Sequence, residues 1–108
     1  MGCRCVCKSM LRIDVSNRAE ADLDEIAVFT TRTWGWRQTD QYLAKLEDGF
    51  ALLAQAPSVG RSCEFILPGL KRFEVGKHVL FYRVEAETLW IMRILHQQMI
   101  PKESHFRR

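Results

Sequence analysis

The sequence predicts a single α+β domain of order β-α-α-β-β-β, an antiparallel sheet with a helical hairpin packed on one face. Three observations lead there. Between Asn17 and Ala56 apolar side chains recur every three or four positions in two blocks separated at Gly35, as they do on helices with one buried stripe. Arg72–Val75, His78–Val84 and Thr88–His96 are rich in β-branched and aromatic residues and are bounded by turn dipeptides, the mark of strands joined by short connections. The chain has 108 residues, 47% hydrophobic and 27% charged, which suits one small globular domain and neither a fibre nor a disordered chain.

The elements follow in order. Leu11-Arg12-Ile13-Asp14-Val15-Ser16 alternates apolar and polar, so one face of a first strand is buried. Asn17 with Glu20 three residues on resembles a capping box, and Asp22, Asp24 and Glu25 place negative charge where a helix N-terminus favours it. Ala19, Leu23, Ile26, Ala27 and Trp34 form the stripe of this first helix, and Gly35 suits the left-handed residue that ends it. In the second helix Thr39, Tyr42, Leu43, Leu46, Phe50 and Leu53 share a face until Pro57 stops the ladder. Pro68-Gly69 reads as a type II turn, Gly76-Lys77 as a tight hairpin and Glu85-Ala86-Glu87 as a short polar loop. Two helical stripes need a common surface, and the strands supply it.

Composition excludes several functions. The longest strongly apolar stretch, Leu89–Leu95, is short and is interrupted by Arg93, so no membrane span is expected. Neither is a secretory leader, which points to the cytoplasm. Cys3, Cys5 and Cys7 crowd the opening MGCRCVCKS, and Cys63 stands alone in the body. Structural zinc takes ligands in pairs at two separated places, and no second pair follows. Residues 1–9 therefore read as an N-terminal extension without function, ahead of one domain at 10–108, and no metal site is expected.

Charge separates along the chain. Residues 17–60 carry four Lys/Arg and seven Asp/Glu, and residues 61–108 carry nine and five. The strand half is thus basic, through Arg61, Lys71, Arg72, Lys77, Arg83 and Arg93 among others, which fits nucleic acid, an acidic partner or simply a solvated face. On the last strand Trp90, Met92, Ile94 and His96 alternate with Leu89, Ile91, Arg93 and Leu95. Both faces are largely apolar, so the one away from the helices is covered either by the C-terminal segment or by a partner.

Several blocks carry a resemblance: Ala21-Asp22-Leu23-Asp24-Glu25-Ile26; Trp34-Gly35 with Gln38, Tyr42 and Leu46; Pro57-Ser58-Val59-Gly60-Arg61; Pro68-Gly69-Leu70-Lys71-Arg72-Phe73; Gly76–Arg83; and Arg93-Ile94-Leu95-His96. Together, in this order, they resemble ParE toxins of the RelE/ParE superfamily, over Leu11 to about His105. The resemblance implies the toxin of a bacterial type II toxin-antitoxin system, neutralised by a ParD-type antitoxin. It also implies inhibition of DNA gyrase, with no cofactor and no small-molecule substrate.

The alternatives implied are a RelE-type ribosome-dependent mRNA endonuclease and a degenerate toxin that retains only antitoxin binding. A nuclease needs cations around the phosphate and an acid/base pair. Here the candidates are Arg72, Arg83, Arg93 and His96, with His105, Glu47 and Glu74 as further titratable groups. The tail offers Phe106 and no tyrosine, and Gln97, Gln98 and Met99 stand where a basic run would be needed. That set is incomplete, so a protein inhibitor without catalytic residues is the favoured reading, with Arg72, Arg83 and Arg93 as target contacts. His96 reads more readily as a structural hydrogen-bonder closing a strand. Candidate antitoxin contacts are Trp36 at the hairpin corner and Leu89, Ile91 and Leu95, with strand addition at a sheet edge and a helix in a groove as docking modes.

Overall fold

The computed structural model describes residues 11–99. Strand β1 (Arg12–Val15) leads into helices α1 (Asn17–Trp34) and α2 (Trp36–Gln55), followed by a 3-10 turn at Pro57–Val59. Four more strands follow: β2 (Arg61–Ser62), β3 (Lys71–Val75), β4 (His78–Glu85) and β5 (Thr88–His96). The sheet order is β1-β5-β4-β3-β2. From β2 to β5 each neighbour is antiparallel, as the short connections require. Strand β1 instead joins β5 in parallel, Arg12 opposite Thr88 and Val15 opposite Ile91, making the sheet mixed. The helical hairpin carries the chain from β1 across the sheet to β2 at the far edge, and β2 to β5 wind back until β5 meets β1; a tight turn cannot join parallel neighbours.

The cap of α1 is Ser16 and not the expected Asn17. The Ser16 hydroxyl accepts from the Ala19 amide at 3.1 Å and donates to the Met92 carbonyl at 2.8 Å, fastening the helix start to β5. Gly35, at φ +93°, closes α1 and opens α2 within one residue. Gly76 turns β3 into β4 at φ +59°, and a Cβ there would lie 2.8 Å from the Tyr42 ring, so both backbone and packing require glycine.

The core has two layers. Against the helices lie Val75, Leu80, Tyr82, Leu89, Ile91 and Ile94, packed on Ala19, Ile26, Leu46, Phe50, Leu53 and Ala54. On the opposite face Val79, Phe81 and Leu95 pack with Cys63, Leu70 and the half-buried Ile66, Leu67 and Met92. Among the described residues, that second face is covered by the loop between β2 and β3. The strict alternation expected along β5 also fails. Tyr82 pairs with Ile91 and Phe81 with Arg93, leaving Met92 as a bulge. One extra residue reverses the facing of everything beyond it, so Ile94 joins the helix-side layer with Leu89 and Ile91.

Two expectations about candidate contacts change with this packing. Leu89 and Ile91 are fully buried and Leu95 nearly so, which makes them core and not a docking surface. Trp34, expected on the buried stripe, is 64% exposed, because it closes α1 at the hairpin corner, beyond the reach of the sheet. The expectations for residues 1–9 and for His105 and Phe106 lie outside the described residues.

Candidate functional site

A groove of about 760 Å³ runs between the helical hairpin and the end of the sheet formed by the β3–β4 turn and the last residues of β5. Helix α1 contributes Asp22, Glu25, Ile26, Phe29, Thr30 and Trp34, successive positions on one helical face. Helix α2 adds Gln38, Gln41, Tyr42 and Lys45, the strands add His78 and Arg93–His96, and the β3–β4 turn and the residues after β5 add Lys77 and Met99. Phe29 and Trp34 stand largely exposed in its wall. Val28 and Trp36 are exposed as well but do not line the groove, and the Arg37 guanidinium lies over the Trp36 ring, 5.6 Å from its centre. Large apolar side chains gathered at one exposed site mark a place where another molecule packs.

The floor of the groove is polar and closely bonded. Asp22, 9% exposed at its side chain, receives Nε and Nη2 of Arg93, both at 2.8 Å, and the backbone amide of Ile94 at 3.0 Å. Strand β1 pairs with β5 only as far as Ile91, so Asp22 substitutes for a strand neighbour just beyond that point. The carboxylate in turn holds the guanidinium still further above its ordinary range, against the opposing effect of burial. Alongside, the Tyr42 hydroxyl accepts from the Lys77 amide at 3.0 Å and lies 2.6 Å from Nδ1 of His78. The hydroxyl also faces the Val75 carbonyl at 3.4 Å, an acceptor within reach of its proton. Burial and the facing His96 push His78 below the usual histidine range, with Asp22 opposing. The two rings meet edge to face at 5.4 Å.

The candidate phosphate-binding and acid/base groups do not gather around one point. Arg72 pairs in register with Phe81, and Arg83 follows the helix-side Tyr82, so both belong to the face away from the helices. Arg72 is salt-bridged to Glu74 at 2.9 Å, and Arg83 to Glu85. His96 is on the other side, in the groove beside His78. Arg93 also lines the groove, with its guanidinium bonded to Asp22. Glu47 is not among the groove residues. Sequence reasoning missed Asp22, read as dipole charge alone, and Phe29 and Trp34. The available hint was that Val28, Phe29 and Trp34 are more apolar surface than one buried stripe on α1 needs.

Comparison with known proteins agrees with this architecture. Residues 13–101 match the family described as the ParE toxin of type II toxin-antitoxin system, parDE. A toxin named ParE1 from Mycobacterium tuberculosis is 42% identical over 86 residues, covering 79% of this chain and 88% of that protein. Among solved structures, a chain of the chromosomal ParDE system of P. aeruginosa superposes with a TM-score of 0.70 at 20% identity, over 82% of this chain and 97% of that one. A chain of the RelBE2 toxin-antitoxin complex of M. tuberculosis gives 0.58 at 23% identity, over 81% and 98%. Those two likenesses establish the shared fold; the match over most of the sequence goes further. This chain belongs to the ParE toxin family of type II toxin-antitoxin systems.

Proposed function

We propose that this toxin acts in the cytoplasm by inhibiting DNA gyrase, and that a ParD-type antitoxin neutralises it by packing into the groove between the helical hairpin and β5. The observation that carries the inhibitor reading is the separation of the candidate nuclease groups. Arg72 and Arg83 are on one face of the sheet and His96 is on the other, while Arg93 is bonded to Asp22. General acid/base cleavage needs its donor and base within hydrogen-bond reach of one phosphate, and this arrangement does not offer that. Inhibition by binding needs no such convergence. Among the described residues no group of three or more metal-ligating side chains could hold a metal ion, and no helix is long and apolar enough to cross a membrane.

The groove suits an antitoxin on two counts. Its walls present Phe29 and Trp34 beside Ile26 and Met99, apolar surface for one side of an amphipathic helix. Gln38, Gln41, Lys45 and Lys77 rim the same groove for its polar side, and since Asp22 already takes the Ile94 amide at the free edge of β5, the docking mode that fits is a helix in the groove and not an added strand. The deciding experiment sets purified toxin against gyrase in a supercoiling assay, and against translating ribosomes in a message-cleavage assay, each with and without antitoxin. Inhibition of supercoiling that antitoxin reverses, with intact message, upholds the proposal. Ribosome-dependent cleavage overturns it in favour of an endonuclease. Antitoxin binding with neither effect identifies a degenerate toxin.

A further inference from the structure

Two imidazoles lie side by side in the groove. His78 opens β4 and His96 closes β5, paired in register and meeting edge to face. In each ring Nδ1 is already engaged. That of His96 accepts the Gln98 amide at 3.2 Å, so a neutral His96 carries its proton on Nε2. That of His78 meets the Tyr42 hydroxyl at 2.6 Å. Neither Nε2 bonds to another described residue. Since no buried side-chain nitrogen or oxygen lacks a partner among the described residues, both nitrogens open onto the groove that the two rings line.

His78 has a place ready for a second proton. The Tyr42 hydroxyl takes the Lys77 amide and faces the Val75 carbonyl. A hydroxyl accepts twice and donates once, so it can receive Nδ1–H of His78 as its second bond and turn its own proton to Val75. His96 has no such provision, because its Nδ1 faces an amide that can only donate. Burial and the facing His96 keep His78 neutral in the free toxin, and an added anion would offset both. The surrounding charges favour one. Lys45 of α2 and Lys77 of the β3–β4 turn rim the groove without an ion pair among the described residues. Asp22 of α1, the carboxylate that acts on His78, is committed to Arg93 of β5 and the Ile94 amide. Glu25 of α1 acts on the same arginine, and Glu74 of β3 is paired with Arg72. The two lysines and the imidazole nitrogens are thus left for a negative group brought by the occupant.

We propose that the antitoxin seats a carboxylate against Nε2 of His78 and His96, and that His78 takes a proton from solvent as the complex forms. This rests on the groove being the antitoxin site, as proposed above. The complex then holds more protons than its separated parts, so affinity rises by up to about tenfold per pH unit of acidification while His78 of the free toxin is still neutral. A wholly apolar occupant would do the reverse, drying the imidazoles and weakening binding in acid. The test titrates full-length toxin with its ParD-type antitoxin by calorimetry between about pH 6 and pH 8, in buffers of different ionisation enthalpy. Wild type, His78→Gln and Trp34→Glu are compared. Wild type is expected to take up close to one proton at about pH 6.5 and to bind about tenfold more tightly there than at about pH 8. His78→Gln should bind with no uptake and a flat pH profile. Absence of uptake in wild type, or proton release, overturns the proposal without recourse to a variant, as does uptake that persists in His78→Gln. Trp34→Glu separates the two readings. If it weakens binding and the proton linkage is missing, this inference alone fails. If it binds as tightly as wild type, the groove is not the antitoxin site and both fail.

Discussion

Asp22 shows how much one side chain decides. It neutralises Arg93, satisfies the Ile94 amide and ties α1 to β5. Arg93, expected from the sequence as a target contact, is held largely buried in this ion pair. Breaking a buried pair from one side strands the other charge, so Arg93→Ala and Asp22→Ala should each cost about 2–4 kcal/mol of stability. The double variant should cost clearly less than the sum, as denaturant unfolding of all four proteins will show. His78 carries the second residue-scale prediction. It is held neutral among Tyr42 of α2, His96 of β5 and Asp22 of α1, with its folded pKa lowered. The unfolded chain therefore binds more protons, and the His78 contribution is complete above about pH 6.5 and lost as pH falls through the lower folded value. The melting temperature should decline on acidification below that point. His78→Gln, which removes the titrating ring but keeps a polar side chain beside Tyr42, should flatten the decline; an unchanged slope would place the effect elsewhere.

At the scale of elements, the devices that join one segment to the next matter more than their interiors. The β4–β5 connection places Ala86 at φ +48° and Glu87 at φ +62°, the two positive values of a type I′ hairpin turn. Neither residue suits that region, where each non-glycine side chain costs roughly 1–2 kcal/mol. Replacing the pair by Asn-Gly (Ala86→Asn with Glu87→Gly) should stabilise the protein by about 1 kcal/mol and raise its melting temperature by some ~4–8 °C, without altering the bond from the Arg12 amide to the Glu87 carbonyl. The single hydroxyl of Ser16 caps α1 and bonds β5 together. The local pattern could suggest a cap near residue 17, but choosing between Ser16 and Asn17 needed the position of Met92.

For the molecule as a whole, the sheet separates two surfaces, a groove under the helical hairpin and a loop on the far side. That division turns the expected antitoxin contacts around. Ile91 is fully buried in the helix-side core, so Ile91→Asp should unfold the toxin and its loss of binding should simply track its loss of structure. Trp34 is exposed in the groove wall. Trp34→Glu should leave the melting temperature within a few degrees of wild type while weakening antitoxin about tenfold or more, because an interface tryptophan in an apolar groove is among the costliest to lose. Calorimetric titration beside thermal unfolding will separate the two behaviours.

Local chemistry was enough to place most of the elements. The 3.6-residue stripes of α1 and α2, the β-branched runs of β3, β4 and β5, the break at Gly35 and the turn at Gly76 depend on neighbours a few residues away, and such information is written along the chain. The family blocks lie on those same elements. What needed the tertiary structure involves residues far apart in sequence: the parallel pairing of β1 with β5, the ion pair between Asp22 and Arg93, and the meeting of Tyr42 with His78. The Met92 bulge belongs with these, because alternation in one strand cannot reveal which residue its neighbour will skip. That one skipped residue fixes which β5 side chains face the helices and which face the loop between β2 and β3, since the facing of a strand reverses with every residue gained or lost.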